Sequence, residues 1–326
     1  MKIGRFFRGA AAAPLLLGLA GCKMVVMDPA GDIAVQQRDL ILLATGLMLL
    51  IIVPVIALTL FFAWKYRASN LKADYDPEWH HSTKIEMAVW AAPLAIIMIL
   101  GTVTWITSHT LDPYRPLPRL APNRPVAAGV KPLQVEVVAL DWKWLFIYPE
   151  LGVATVNEMA APVDRPIAFK ITASSVMNSF YVPALAGQVY AMPGMQTQLH
   201  AVVNKAGDYE GFSANYSGAG FSGMKFRFKG LSEADFQRWV AAAKAGGPQL
   251  TRADYLKLEK PSADEPVRRF AGADPNLFLD VVNRCAAPGQ VCKDRMTHTA
   301  QADAAAVAQA RNPQCADPRA AKRPAL

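Results

Sequence analysis

Hydrophobic positions gather into three early runs, after which the chain settles into short alternating segments. The first run lies in "MKIGRFFRGAAAAPLLLGLAGC", behind a basic start at Lys2, Arg5 and Arg8. It is too short to span a bilayer, which takes about 20 apolar residues, and it has the layout of a secretory leader. The second run, Leu40 to Trp64, holds 25 residues without a charge between Asp39 and Lys65; the third, Met87 to Ser108, holds 22 between Glu86 and His109. Both are long enough to cross the hydrocarbon with some tilt, and helices of soluble proteins are rarely apolar on every side for that length. The pattern predicts a transmembrane hairpin, with helices over 39–65 and 86–109 joined by a loop over 66–85. Trp64, Tyr66, Trp90 and Trp105 fall near the ends, where aromatic belts form. Pro54 and Pro93 are tolerable where neighbouring helices satisfy the freed carbonyls.

The leader closes on Leu19-Ala20-Gly21-Cys22, which resembles the bacterial lipobox. That resemblance implies a leader over 1–21, cleavage before Cys22 and acylation of Cys22. Ordinary leader cleavage nearby, with Cys22 incidental, is the alternative. Export places 22–38 outside and the 66–85 loop inside, where Lys65, Arg67, Lys72 and Lys84 supply a modest positive-inside bias. Everything after 109 is then outside again, in the periplasm of a bacterium whose inner membrane holds the hairpin.

Past a Pro-rich linker over 110–130, the texture becomes β. "LQVEVVALDWKWLFIYP" is rich in Val and aromatics, and short segments broken by Pro, Gly and Asn follow about every ten residues. They predict a β-sandwich over 131–230. Then "LSEADFQRWVAAAKAGG" opens on Ser232 with Asp235 three residues on, and "TRADYLKLEKP" repeats the device from Thr251. Both read as capped helices, giving a helical appendage over 231–295. The tail, 296–326, has no core pattern.

Composition adds one exclusion and one candidate bridge. The chain is 52% hydrophobic with a formal charge of +8, but no basic cluster interleaves with aromatics, so no nucleic-acid partner is expected. Cys285 and Cys292 flank "AAPGQV" in the exported region, where disulfides persist, and are candidates for a local bridge. Glu86, at the inner mouth of the second span, has two readings. It is a helix-start carboxylate in a capping pattern opening at Ser82 or Thr83, or a proton-collecting group at the face of a partner protein.

A leader with a lipobox, a two-span hairpin and an outer sandwich together resemble subunit II of the haem-copper respiratory oxidases, whose outer domain is a cupredoxin. "ALDWKWLFIYP" resembles the family's aromatic segment, with Trp142 where the cytochrome c oxidases take in electrons. "VMNSFYVPALAGQVYAMPGM" resembles the strand carrying the first copper imidazole, and "GDYEGFSANYSGAGFSGMKF" the copper loop. The family's dinuclear copper uses two bridging thiolates, two imidazoles, a thioether and a main-chain carbonyl, because soft sulfur spreads charge over the copper pair. At the matching positions this chain has Ser213 and Ser217 for the thiolates, Asn178 and Phe221 for the imidazoles, and Asn215 for the carbonyl-bearing residue. Met224 alone is retained.

"SANYSGAGFSGMKF" is similar to the loop of the proteobacterial cytochrome bo-type ubiquinol oxidases, which draw electrons from a lipid-soluble quinol and need no outer copper relay. The resemblance implies a two-helix transmembrane hairpin followed by an all-β cupredoxin-like sandwich with a small α-helical C-terminal appendage. It implies a non-catalytic subunit with no metal or cofactor of its own. Haems, copper and most ubiquinol contacts would belong to subunit I, with small membrane subunits III and IV and membrane lipid as further partners. It also places Glu86, after "HHSTKI", at the entrance of a proton pathway into subunit I. Two rivals are a cytochrome c oxidase subunit II, against which the missing thiolates stand, and a lipid-anchored cupredoxin-like binding or assembly protein outside any oxidase. Tyr209, Tyr216 and Phe221 are expected to pack the emptied end of the sandwich.

Overall fold

A first helix, α1 (Asp32–Lys65), begins two turns before its apolar run, because the polar turns "DIAVQQRD" have partners of their own. The computed structural model describes residues 24–296 except Tyr75 and Arg295; the leader, Cys22 and residues 297–326 of the tail lie outside the described residues. The chain divides into two units. One comprises the residues up to Val130 with the loops Pro183–Gly187 and His200–Lys205; the other holds the rest.

In the first unit the segment ahead of α1 is tied down. The Ala30 and Gly31 amides donate to Ala184 O at 2.8 and 3.1 Å, and Asn204 N donates to Ala30 O at 2.7 Å. A Cβ on Gly31 would lie 2.3 Å from Val202 O, so only glycine fits this approach. Asp32 is buried, and its Oδ2 accepts from Gln36 Nε2 at 2.7 Å and from Arg119 Nε at 2.9 Å. These bonds extend the helix beyond the predicted span. The second helix, α2, is Thr83–Thr110. At 34 and 28 residues, the helices reach roughly 50 and 40 Å at 1.5 Å per residue, longer than the hydrocarbon.

Their side chains lie open along most of both lengths, Trp90 at 77% exposure, and Ile96 is the one buried side chain of α2. Hydroxyls within the apolar runs serve their own backbones: Thr59 donates to Val55 O at 2.7 Å and Thr102 to Met98 O at 2.9 Å. That removes unsatisfied donors from a medium without water. The Pro-rich linker is not wholly extended. It carries a small hairpin, β1 (Arg119–Ala121) and β2 (Arg124–Pro125), whose turn places Asn123 at φ 61°, a conformation asparagine tolerates.

The second unit contains most of the sandwich. Its strands are β3 (Leu133–Leu140), β4 (Lys143–Tyr148), β5 (Val153–Val156), β6 (Glu158–Pro162), β7 (Ile167–Ala173), β8 (Asn178–Tyr181), β9 (Val189–Ala191), β10 (Thr197–Ala201), β11 (Gly207–Ser213), β12 (Lys225–Leu231) and β13 (Arg268–Phe270). Six of them form one sheet, ordered β10-β7-β3-β4-β5-β13; five form the other, ordered β6-β12-β11-β8-β9. β12 shows the expected alternation, Phe226 and Phe228 inward and Lys225 and Arg227 outward. Between the sheets lie Trp144, Phe146, Phe169, Phe180 and Phe226, with Phe180 stacked on Phe226 at 5.4 Å between ring centres. Tyr148 pins the sheets together: its hydroxyl donates to Ala160 O at 2.9 Å and accepts from Ala160 N at 3.0 Å.

β4 is buried at every position, which alternation alone does not predict. Its second face is covered by the appendage, α3 (Glu233–Ala245), α4 (Arg252–Leu258) and α5 (Leu277–Val282). Leu145 and Ile147 share a core with Tyr255, Leu258, Leu277, Phe278 and Val281. Ser232 and Thr251 cap α3 and α4, accepting from the Asp235 and Asp254 amides, each at 3.2 Å. The appendage is not helical throughout, since β13 returns to pair antiparallel with β5, Arg269 opposite Thr155.

Two charged side chains fasten this layer. Lys143, in the middle of the aromatic run, is buried and donates to Asp141 O, Lys260 O and Ser262 Oγ at 3.0, 2.9 and 2.6 Å. Burial lowers its ammonium, partly offset by Glu265 and Asp141. Glu158 is also buried, accepting from Lys229 Nζ at 2.6 Å, Trp239 Nε1 at 2.9 Å and Arg269 Nη2 at 2.7 Å. Burial pushes its carboxyl up, but those three donors outweigh it and hold the group below the usual range. One carboxylate thus joins β6, β12, α3 and β13.

Candidate functional site: a polar loop at one end of the sandwich

β8 and β11 pair antiparallel, Ser213 opposite Phe180, and this brings Asn178 and Ser213 to one end of the sheet. Both are buried, Asn178 at 1% and Ser213 at 3% exposure. Ser213 Oγ donates to Asn178 Oδ1 at 3.1 Å and lies 3.2 Å from Asn215 O, while Ser179 N approaches the same hydroxyl at 3.4 Å. Asn178 Nδ2 turns away to Val176 O at 3.1 Å. Ser217 Oγ reaches the buried Met224 only through a long contact to its sulfur, 3.9 Å. Asn215 Nδ2 donates to Met177 O at 3.1 Å. Phe221 opens a single 3₁₀ turn, Phe221–Gly223, and meets Tyr216 edge-on at 5.5 Å.

The structure therefore brings all six predicted positions into one loop region, but as a network of hydroxyls and amides that serve one another. Dinuclear copper requires thiolates and imidazoles; a hydroxyl stays protonated at neutral pH and binds copper poorly, and one thioether does not hold the ion. The residues present do not fit that metal.

The loop's packing differs from the expectation. Tyr216 is 74% exposed, and Tyr209 packs along the sheet beside Phe228 at 6.1 Å. Trp142, at the β3–β4 turn, buttresses the loop instead. Its Nε1 donates to Ser217 O at 3.0 Å, and a Cβ on Gly220 would come within 2.5 Å of its ring. Indole area and a fixed N–H suit this role better than a phenol that prefers a wet tip. The Gly-rich spelling of the loop signals a close neighbour, though not which one.

Glu86 lies in the first turn of α2. Ser82 is the N-cap residue and makes no side-chain cap, so neither capping pattern forms. The carboxylate instead meets His81, Nδ1 to Oε1 at 2.7 Å, and His81 Nε2 lies 3.2 Å from Thr83 Oγ1. By sequence His81, like His80, reads as a loop histidine rather than a metal ligand; a spacing of five across a helix start is too common to mark a pair. Cys285 and Cys292 are joined, S–S 2.04 Å, beside Asp280.

Two helices long and apolar enough to cross a membrane, followed in the chain by a two-sheet sandwich, are the architecture of a cupredoxin-like second subunit of a haem-copper oxidase. Residues 134–230 match the family "Cytochrome C oxidase subunit II, periplasmic domain", and 244–289 match the "COX Aromatic Rich Motif". The chain is 51% identical to the cytochrome bo(3) ubiquinol oxidase subunit 2 of Pseudomonas putida, over 82% of this chain and 83% of that one. The Pseudomonas aeruginosa protein of the same name is 51% identical over 83% and 79%. The ubiquinol oxidase subunit 2 of Acetobacter aceti is 50% identical over 81% and 83%. The chain belongs to the subunit 2 family of the cytochrome bo-type ubiquinol oxidases, and it is membrane-anchored.

Proposed function

We propose that the chain works as the non-catalytic second subunit of a ubiquinol oxidase that passes electrons from quinol to oxygen. The hairpin over 39–65 and 86–109 docks against subunit I, and the open apolar faces of α1 and α2 support a partner or lipid there. Subunit I carries the haems, the copper and the quinol contacts; this chain carries no copper and takes no part in electron relay. Subunits III and IV complete the assembly. Cys22 is acylated after removal of 1–21, and 131–295 lies in the periplasm above a bacterial inner membrane.

Glu86 collects protons on the cytoplasmic side, with His81 at its carboxylate. The observation that carries the reading is that Ser213, Ser217, Asn178 and Phe221 stand at the two thiolate and two imidazole positions that the resemblance implies, with Met224 alone retained. Purification through a tag on this chain, followed by a haem spectrum and a quinol-oxidation assay, tests it. Co-purifying haem with activity is expected; a haem-free, inactive preparation under gentle detergent overturns it.

A further inference from the structure

A polar cleft of about 140 Å³ lies under the Cys285–Cys292 loop, lined among others by Ser174, Tyr255, Glu259, Arg284 and Gln290. Three separate pieces of chain supply these groups: the end of β7, the helix α4, and the bridged loop after α5. At liquid density the space corresponds to roughly four or five waters.

Three observations suggest a ligand rather than chance. Ser174 Oγ is fully buried and has no hydrogen-bond partner among the described residues, a state that buried hydroxyls rarely keep. Tyr255, itself without exposure, donates its hydroxyl to Glu259 Oε1 at 3.2 Å. Burial, then the Glu259 charge, push that phenol far up, so its proton stays in place. The bond orients Glu259 and leaves its second oxygen without a hydrogen bond or ion pair among the described residues. Arg284 likewise makes no ion pair among them, although it lines the same cleft and holds a left-handed backbone, φ 57°. Opposite charges thus border one small polar space and do not neutralise each other.

We propose that this cleft binds a small zwitterion of the free amino-acid class, its ammonium on Glu259 and its carboxylate on Arg284 and Ser174. A single-signed ion satisfies only half of the lining, and an apolar solute satisfies none of it. The disulfide keeps the roof over the site by pinning both ends of the 286–291 segment.

Ligand-observed NMR on the purified oxidase complex tests this with three probes: glycine, acetate and methylammonium. Glycine is expected to bind saturably, with acetate and methylammonium at least tenfold weaker. Glu259→Gln and Arg284→Gln should each weaken glycine about tenfold or more, one charge-assisted contact's worth, while quinol oxidation stays at the wild-type rate. Should a variant fail to assemble, the preference of the wild type for glycine over the two single-charge probes still decides. No saturable glycine signal, equal binding by acetate, or unchanged glycine binding in both variants overturns the proposal.

Discussion

Ser213 Oγ donates to Asn178 Oδ1 across 3.1 Å, both groups buried. The two side chains satisfy each other. Ser213→Ala strands the Asn178 carbonyl in a dry site, at a cost of about 1–3 kcal/mol. Chemical denaturation of the chain should show that loss, with quinol oxidation unchanged. Added Cu(II) should produce no visible thiolate-to-copper absorption in either protein; a strong band would contradict the donor argument.

Trp142 predicts where the loop is most sensitive. Gly220→Ala sets a methyl against the indole, 2.5 Å away in the native packing. Overpacking of this kind typically costs about 1–3 kcal/mol. Hydrogen exchange should rise in 214–224 and stay flat in α4 and α5. A spread of faster exchange over the whole sandwich would mean that Trp142 holds more than the loop.

Glu158 makes an acid-sensitive joint. Its folded carboxyl sits below the unfolded value of about 4.3, so its stabilisation is fully present above that value. It is lost as pH falls through the lower folded value. Glu158→Gln should remove about 1.5–3 kcal/mol at neutral pH, the range for hydrogen bonds to a charged group. The gap from wild type should close as the pH falls. Parallel pH–stability curves for the two proteins would refute this.

Replacing Glu86 with Ala should slow turnover several-fold while the complex assembles with normal haem content. His81→Gln should have a smaller effect in the same direction, because an exposed His–Glu pair is individually weak. Normal turnover in the Glu86 variant would reduce it to a helix-start carboxylate.

The hairpin was legible because a membrane span needs only length and apolarity, both local properties, and the Ser232 and Thr251 caps were legible because a capping box is a three-residue spacing. The absence of thiolates and imidazoles from the loop was equally plain, since ligand chemistry is written in residue type. Other features depended on which distant segments meet. The start of α1 at Asp32 rests on Arg119 and Ala184; the complete burial of β4 rests on helices a hundred residues further on. Trp142 rather than Tyr216 supports the loop because the β3–β4 turn delivers an indole to Gly218 and Gly220. Residue type therefore determined which donors this loop lacks, while tertiary packing decided what holds it together: hydrogen bonds and close contacts depend on distances that no local pattern records.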